Sequence, residues 1–377
     1  MAGIYIHIPF CKHKCNYCNF YSLASTRNMD EVALAIVSEL EQRKGYLTGH
    51  YVETIYFGGG TPSIIEISDI ENILKAIYRN FPVDKEVEIT LEANPDDLTP
   101  DKLTAFKNSG INRLSIGIQS FRQEDLDFLS RTHTSSQVSQ CIKDAKQAGF
   151  HNLSIDLIYG IPTLSDEGWR NNLERAFSLG ISHISAYSLT VENKTPLEVM
   201  IRKGKMKPVD ENLSLSHYHI LSRLMQQNGY EHYEISNFCL SGAYSRHNTA
   251  YWQSKPYLGV GPSAHSYNGT SRCWNVANLV KYIETAASGN VESEQEQLSI
   301  VTQLNEYIMT SLRTMWGCNL ELVKQKFGEV VAEKLHADAL IYMEKNQMIY
   351  REGKLILTPE GRLFADGISA ELFGEEE

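Results

Sequence analysis

Cys11, Cys15 and Cys18 stand as C-x3-C-x2-C, three thiols brought together by spacing alone. They follow Ile4-Tyr5-Ile6-His7-Ile8, whose alternation reads as a strand, so they lie on the loop at its carboxyl end. Soft thiolates gathered this way suit an iron–sulfur cluster or zinc. A structural zinc site closes with a fourth ligand, often from a second C-x2-C pair. No such pair follows: Cys141, Cys239, Cys273 and Cys318 are scattered, which leaves His7 or His13 to complete a Cys3His site. The other readings are plain thiols, or a four-iron cube that keeps one iron open for a further ligand.

The elements that must position these thiols repeat one unit. Strand-like segments at 4–8, 54–57, 87–91, 113–118, 153–159 and 183–189 alternate with helix-like ones at 29–44, 68–80, 101–109, 135–148 and 167–179. Gly110, Gly149 and Gly180 each follow a helix and precede a strand, where a left-handed residue is wanted. Such β/α units imply a parallel α/β sheet with right-handed crossovers, either closing as part of a barrel or lying open. Polar and Gly-rich strings mark the strand ends: Gly58-Gly59-Gly60-Thr61-Pro62, Glu92-Ala93-Asn94-Pro95, Gln119-Ser120 and Asp156. Parallel α/β folds bind ligands there, so the clustering predicts a site.

Three regions follow: an α/β unit over 1–200, an extension over 201–290, and a small α+β domain over 291–377. The extension holds a helix at 212–228, the string Tyr233-Glu234-Ile235-Ser236-Asn237-Phe238, and a long loop over 239–275. An acidic linker over 291–297 leads to helices near 304–315 and 320–326, a hairpin at 348–357, and Thr358-Pro359-Glu360 opening a last helix. That order looks like a winged helix, expected to serve packing because the segment is acidic.

With 377 residues, 42% apolar and 21% charged, the chain can bury a large core, and its net charge of −11 argues against nucleic-acid binding. No apolar run is long enough to span a membrane, and the first residues do not read as a signal peptide. A cytoplasmic, reducing location is therefore expected, with the seven cysteines as thiols or ligands.

The C-x3-C-x2-C spacing resembles that of radical S-adenosylmethionine (SAM) proteins. Ile8-Pro9-Phe10-Cys11, Gly58-Gly59-Gly60-Thr61-Pro62-Ser63, Arg113 through Ser120, and Ile155 through Pro162 are similar to the oxygen-independent coproporphyrinogen III oxidase family, which includes a branch of heme chaperones. The resemblance implies a partial (β/α)6 barrel with a C-terminal domain, a [4Fe–4S] cluster on the three cysteines, and SAM on its open iron. By the same resemblance Gly59, Gly60 and Thr61 take the SAM amino group, Glu92 and Arg131 its polar methionine and ribose groups, and Gln119 and Asp156 its ribose. Ile158 packs on adenine, and Tyr5 and Tyr17 shape the cluster and substrate side.

Two departures from the oxidase pattern favour the chaperone branch. Phe20 stands where the oxidases carry a fourth cysteine, and only ten residues precede Cys11. Arg246-His247-Asn248-Thr249-Ala250-Tyr251-Trp252 resembles the HNxxYW motif of that branch, implying His247 as a heme ligand, Tyr251 and Trp252 as aromatic faces, and Arg246 as a propionate partner. His265, in Gly259-Val260-Gly261-Pro262-Ser263-Ala264-His265-Ser266, is the second choice. The reading is a protein that binds heme and passes it to heme-accepting proteins such as membrane respiratory enzymes, with radical chemistry and assembly, including a homodimer, left open. The alternatives are coproporphyrinogen III decarboxylation and a radical SAM enzyme of unrelated substrate.

Overall fold

The computed structural model describes residues 1–375. Six β/α units come first: β1 (Ala2–Ile8), α1 (Met29–Gln42), β2 (Val52–Gly59), α2 (Ile67–Asn80), β3 (Val83–Ala93), α3 (Pro100–Asn108), β4 (Arg113–Gln119), α4 (Gln123–Phe128), α5 (Ser135–Gln147), β5 (Asn152–Tyr159), α6 (Asp166–Ser178) and β6 (His183–Ser188). Each of these six strands pairs in parallel with the next. Gly110, Gly149 and Gly180 take φ of +105°, +86° and +62°, as their place after a helix predicts.

A helix pair, α7 (Pro196–Arg202) and α8 (Glu211–Gln227), leads to β7 (Glu231–Glu234) and β8 (Asn237–Cys239), which pair antiparallel beyond β6. The loop expected over 239–275 is largely structured. It forms α9 (Arg246–Trp252), β9 (Tyr257–Val260), β10 (His265–Tyr267) and β11 (Ser271–Asn275). After α10 (Leu279–Ala287), the expected acidic linker is strand β12 (Ser293–Gln297). The sheet order is β12-β11-β10-β9-β1-β2-β3-β4-β5-β6-β8-β7, an open partial barrel. All five residues of β12 are exposed, so it carries no apolar alternation; pairing with β11 makes it a strand.

The alternation along β1–β6 sorts the strand residues onto two faces. Ile4, Ile6, Ile55, Phe57, Leu91, Leu114, Ile116, Ile155 and Ile184 are fully buried and belong to the core beneath the helices. The residues between them face the lumen and are polar or aromatic: Tyr5, Tyr56, Thr90 and Arg113 lie in one row, and Gly58, Glu92, Ser115, Ser154 and His183 line the next level. A lumen filled with such groups positions ligands, where an apolar one would only pack.

The C-terminal unit has α11 (Ile300–Leu312), β13 (Cys318–Asn319), α12 (Leu320–Phe327), α13 (Glu329–Glu344), β14 (Met348–Arg351), β15 (Lys354–Leu357), α14 (Pro359–Arg362) and α15 (Ala365–Glu371). Helix α13 was not expected. A β13-β15-β14 sheet packs on these helices around a second core of Leu304, Ile308, Val323, Leu335 and Leu355, in keeping with a winged-helix-like arrangement. Thr358 caps α14 by accepting from Gly361 N, with Pro359 at its first position. Trp316 packs beside Tyr233 and Tyr244, and Arg313 lies over Trp252, joining this unit to the barrel.

Candidate functional site

A cavity of about 400 Å³ opens at the carboxyl ends of β1–β6. Its wall includes Cys11, Cys15, Cys18 and Tyr17 from the loop after β1, Gly59, Gly60 and Thr61 around the end of β2, and Glu92 on β3. Gln119, Arg131, Asp156 and Ile158 complete it. Of the site residues expected from sequence, all those for the cluster and SAM except Tyr5 meet there, whereas Arg246, His247, Tyr251, Trp252 and His265 do not line it.

Two glycines bring the cysteine loop against β2. Gly59 has φ +108°, and a Cβ on it would lie 2.7 Å from the His7 ring. A Cβ on Gly60 would lie 2.5 Å from Phe10 O and 2.9 Å from Ile8 O. With no side chain in the way, Gly60 N donates to Ile8 O at 2.8 Å and Thr61 N to Phe10 O at 2.7 Å.

The three cysteines are free of disulfides and half-exposed. Thr61 Oγ1 donates to Cys11 Sγ at 3.5 Å. Arg131 Nη1 donates to Cys15 Sγ at 3.4 Å, while Nη2 is held by Asn94 Oδ1 at 2.6 Å and Gly117 O at 2.7 Å. Burial pushes the Cys11 and Cys18 thiols upward, so a metal centre bound there must displace their protons. His7 cannot complete a zinc site in this arrangement, because Nδ1 pairs with the Tyr5 hydroxyl at 3.1 Å and Nε2 with Tyr21 O at 2.9 Å. His13 stays exposed on the cavity wall. Three thiols beside a guanidinium and an open cavity fit an anionic cluster with one free corner and a small ligand beside it.

Two carboxyls face the same space. Glu92 is raised to about 7, chiefly by burial, although Tyr56 donates to it at 2.7 Å. Asp156 is raised to about 6, again chiefly by burial, with Ser185 and Arg113 opposing. Both would ionise readily once a cationic ammonium or sulfonium lay beside them. For Glu92 the folded pKa lies above the unfolded one, so its contribution to stability is whole below about pH 4.5 and is lost as pH rises through about 7. Glu92→Gln should therefore raise the Tm of the ligand-free protein at pH 8 by roughly 3–6 °C more than at pH 5, read from paired thermal melts. An equal change at both pH values would contradict this assignment.

Tyr5, His247 and Tyr251 lie deeper. Tyr5 lies beside the Tyr56–His247 pair, with ring centroids 6.2 and 6.4 Å away. Helix α9 closes the amino end of the barrel and inserts His247, 2% exposed, into the lumen. Nδ1 pairs with Thr54 Oγ1 at 2.8 Å, Nε2 with the Tyr251 hydroxyl at 2.9 Å, and the ring stacks on Tyr56 at 4.9 Å. Burial and then Arg113 push its pKa down to about 3, so the ring is neutral. In this ligand-free arrangement both ring nitrogens of His247 are hydrogen-bonded, so ligation of a heme iron by His247 requires one of these hydrogen bonds to be given up. Arg246 is likewise bound, to Glu86 O at 2.5 Å and near Glu53 at 3.7 Å.

Sequence reasoning missed Asn94, Ser115, Gly117 and Tyr187 on the cavity wall. Asn94 and Ser115 lay inside strings already singled out. Tyr187 was readable from the phase of β6, since lumen positions alternate from His183 through Ser185.

The radical SAM superfamily model matches residues 5–176. The chain is 32% identical to the heme chaperone HemW of Mycobacterium tuberculosis, over 99% of this chain and 95% of that protein. It is 31% identical to HemW of Bacillus subtilis over the whole of both chains. The solved structure of coproporphyrinogen III oxidase (HemN) from Escherichia coli superposes with a TM-score of 0.85 at 22% identity, covering 99% of this chain and 90% of that one.

Proposed function

This chain belongs to the HemW family within the radical SAM superfamily, and on that premise we propose that it is a heme chaperone, binding heme and passing it to acceptor proteins. Similarity over its full length to proteins bearing that name carries the reading. The site supports it over decarboxylation. Phe20 departs from the oxidase pattern of a fourth cysteine, and it is 65% exposed on the cavity rim.

Cys11, Cys15 and Cys18 would hold the [4Fe–4S] cluster. Gly59, Gly60, Thr61, Glu92, Gln119, Arg131, Asp156 and Ile158 would hold SAM, with Tyr17 closing the cluster side. When bound, the cluster supplies one open iron and an electron. The chain's own residues bind and orient: the glycines give close backbone approach, Arg131 offsets the negative charge, and Glu92 and Asp156 attract the ligand's positive groups. Among the described residues no helix is long and apolar enough to cross a membrane. Action in the cytoplasm, with membrane respiratory enzymes as acceptors, is part of the proposal.

The test uses anaerobically reconstituted protein. Given SAM, a reductant and coproporphyrinogen III, it should form no protoporphyrinogen, and the same preparation should bind heme stoichiometrically in an absorbance titration. Protoporphyrinogen formed with matching 5′-deoxyadenosine would make the chain an oxidase despite Phe20.

A further inference from the structure

Arg113 stands inside the barrel with 1% of its surface exposed. Its Nε has no hydrogen-bond partner, and among the described residues no carboxylate forms an ion pair with it. Thr90, its register partner on β3, leaves its own buried hydroxyl unpartnered. A guanidinium keeps its charge inside proteins and accepts no hydrogen bond. A buried charge is costly unless other charges answer it.

Two carboxyls answer it from one level up. Glu92 lies two residues beyond Thr90 on β3. Ser115, two residues beyond Arg113 on β4, donates to Asp156 Oδ1 at 3.5 Å. Two residues along a strand keep the same face and advance about 6–7 Å. Arg113 therefore stands beneath the stretch of cavity wall that Glu92 and Asp156 share. Burial raises both carboxyls, and Arg113 opposes that rise in each.

The other titratable groups around the pair do not replace this charge. The hydroxyls of Tyr5 and Tyr56 are raised, chiefly by burial, and stay neutral. Tyr187, on the cavity wall, is raised by burial and then by Asp156. His183 and His247 are pushed down, by burial first and then by Arg113, so neither ring is a cation. Glu88, below Thr90, accepts from His247 N at 3.2 Å at the barrel floor. Arg131 also lowers Asp156, but Asn94, Gly117 O and Cys15 hold it on the cluster side. Without Arg113 the ionised pair would be two like charges in a buried site, where one keeps its proton.

Resting on the reading that SAM occupies this cavity, we propose that Arg113 is a positioning residue for it: from beneath, it holds Glu92 and Asp156 as the carboxylate pair that receives the ligand's positive charge. The experiment measures SAM binding without reductant, by equilibrium dialysis, across pH 6 to 9. It uses the anaerobically reconstituted wild type, two neutral variants, Arg113→Met and Arg113→Gln, and the charge-keeping Arg113→Lys, with thermal melts to establish folding. Removing the cation lifts both carboxyls, so the variants lose SAM at a higher pH than the wild type does. Each neutral variant should bind SAM roughly tenfold more weakly at pH 6.5 yet within about twofold of wild type at pH 8.5. Arg113→Lys should restore the wild-type profile at pH 6.5. A folded neutral variant that weakens binding equally at both pH values, or at neither, overturns the assignment while leaving the cavity reading intact. Failure of the wild type itself to bind SAM overturns the cavity reading and this inference with it.

Discussion

Cys15→Ser should leave anaerobically reconstituted protein without its cluster, read as loss of the broad visible absorbance and of bound iron, and should weaken SAM binding by more than about 100-fold. A partner that merely hydrogen-bonds a ligand costs about 10–100-fold in metal affinity, so Arg131→Gln, which removes the 3.4 Å contact to Cys15, sets the smaller reference effect. Serine keeps the size of the side chain but not a soft thiolate. Cys15 is on a half-exposed loop, so the ligand-free variant should melt like the wild type. A normal cluster spectrum in Cys15→Ser would remove the three-thiol assignment.

Gly60→Ala should be severely damaging at the chain's working end. The added Cβ meets Phe10 O at 2.5 Å, with Ile8 O and Phe10 N both at 2.9 Å. These are backbone atoms, and none of the three can rotate away. The end of β2 must then part from the cysteine loop, breaking the hydrogen bonds from Gly60 N and Thr61 N. Overpacking of this kind costs about 1–3 kcal/mol or more, and the displaced Thr61 and Cys11 should abolish SAM binding. Gly45→Ala is the control: its nearest neighbour is Thr48 Oγ1 at 4.0 Å, so the same methyl should be neutral. Equal behaviour of the two variants in melts and SAM titration would contradict the close-approach account.

The barrel was legible because its strands carry two signals at once. Ile4, Ile6 and Ile8 alternate with Tyr5 and His7, and glycines such as Gly110 punctuate the helix ends. The cavity followed from the polar strings at those strand ends. Residues 239–275 were not legible, because β9 and β10 have only a few residues each, broken by Gly259, Gly261 and Gly269, and gain their order from the edge of β1. Helix α13 buries Ala332, Leu335, Ala339 and Tyr342 at helical spacing, but exposed Val330, Leu340 and Ile341 blur the stripe. His247 could not be placed from its motif, since its burial depends on α9 entering the barrel floor against Thr54 and Tyr56, which are distant in sequence.

The central claim is handover of heme, and a stopped-flow transfer measurement tests it most directly. Heme-loaded protein would be mixed with increasing amounts of heme-depleted respiratory membranes while the loss of its Soret band is followed. The account predicts that the transfer rate rises with membrane concentration and exceeds spontaneous heme release, as a docking-dependent transfer requires. A rate equal to spontaneous release at every membrane concentration would contradict the chaperone reading.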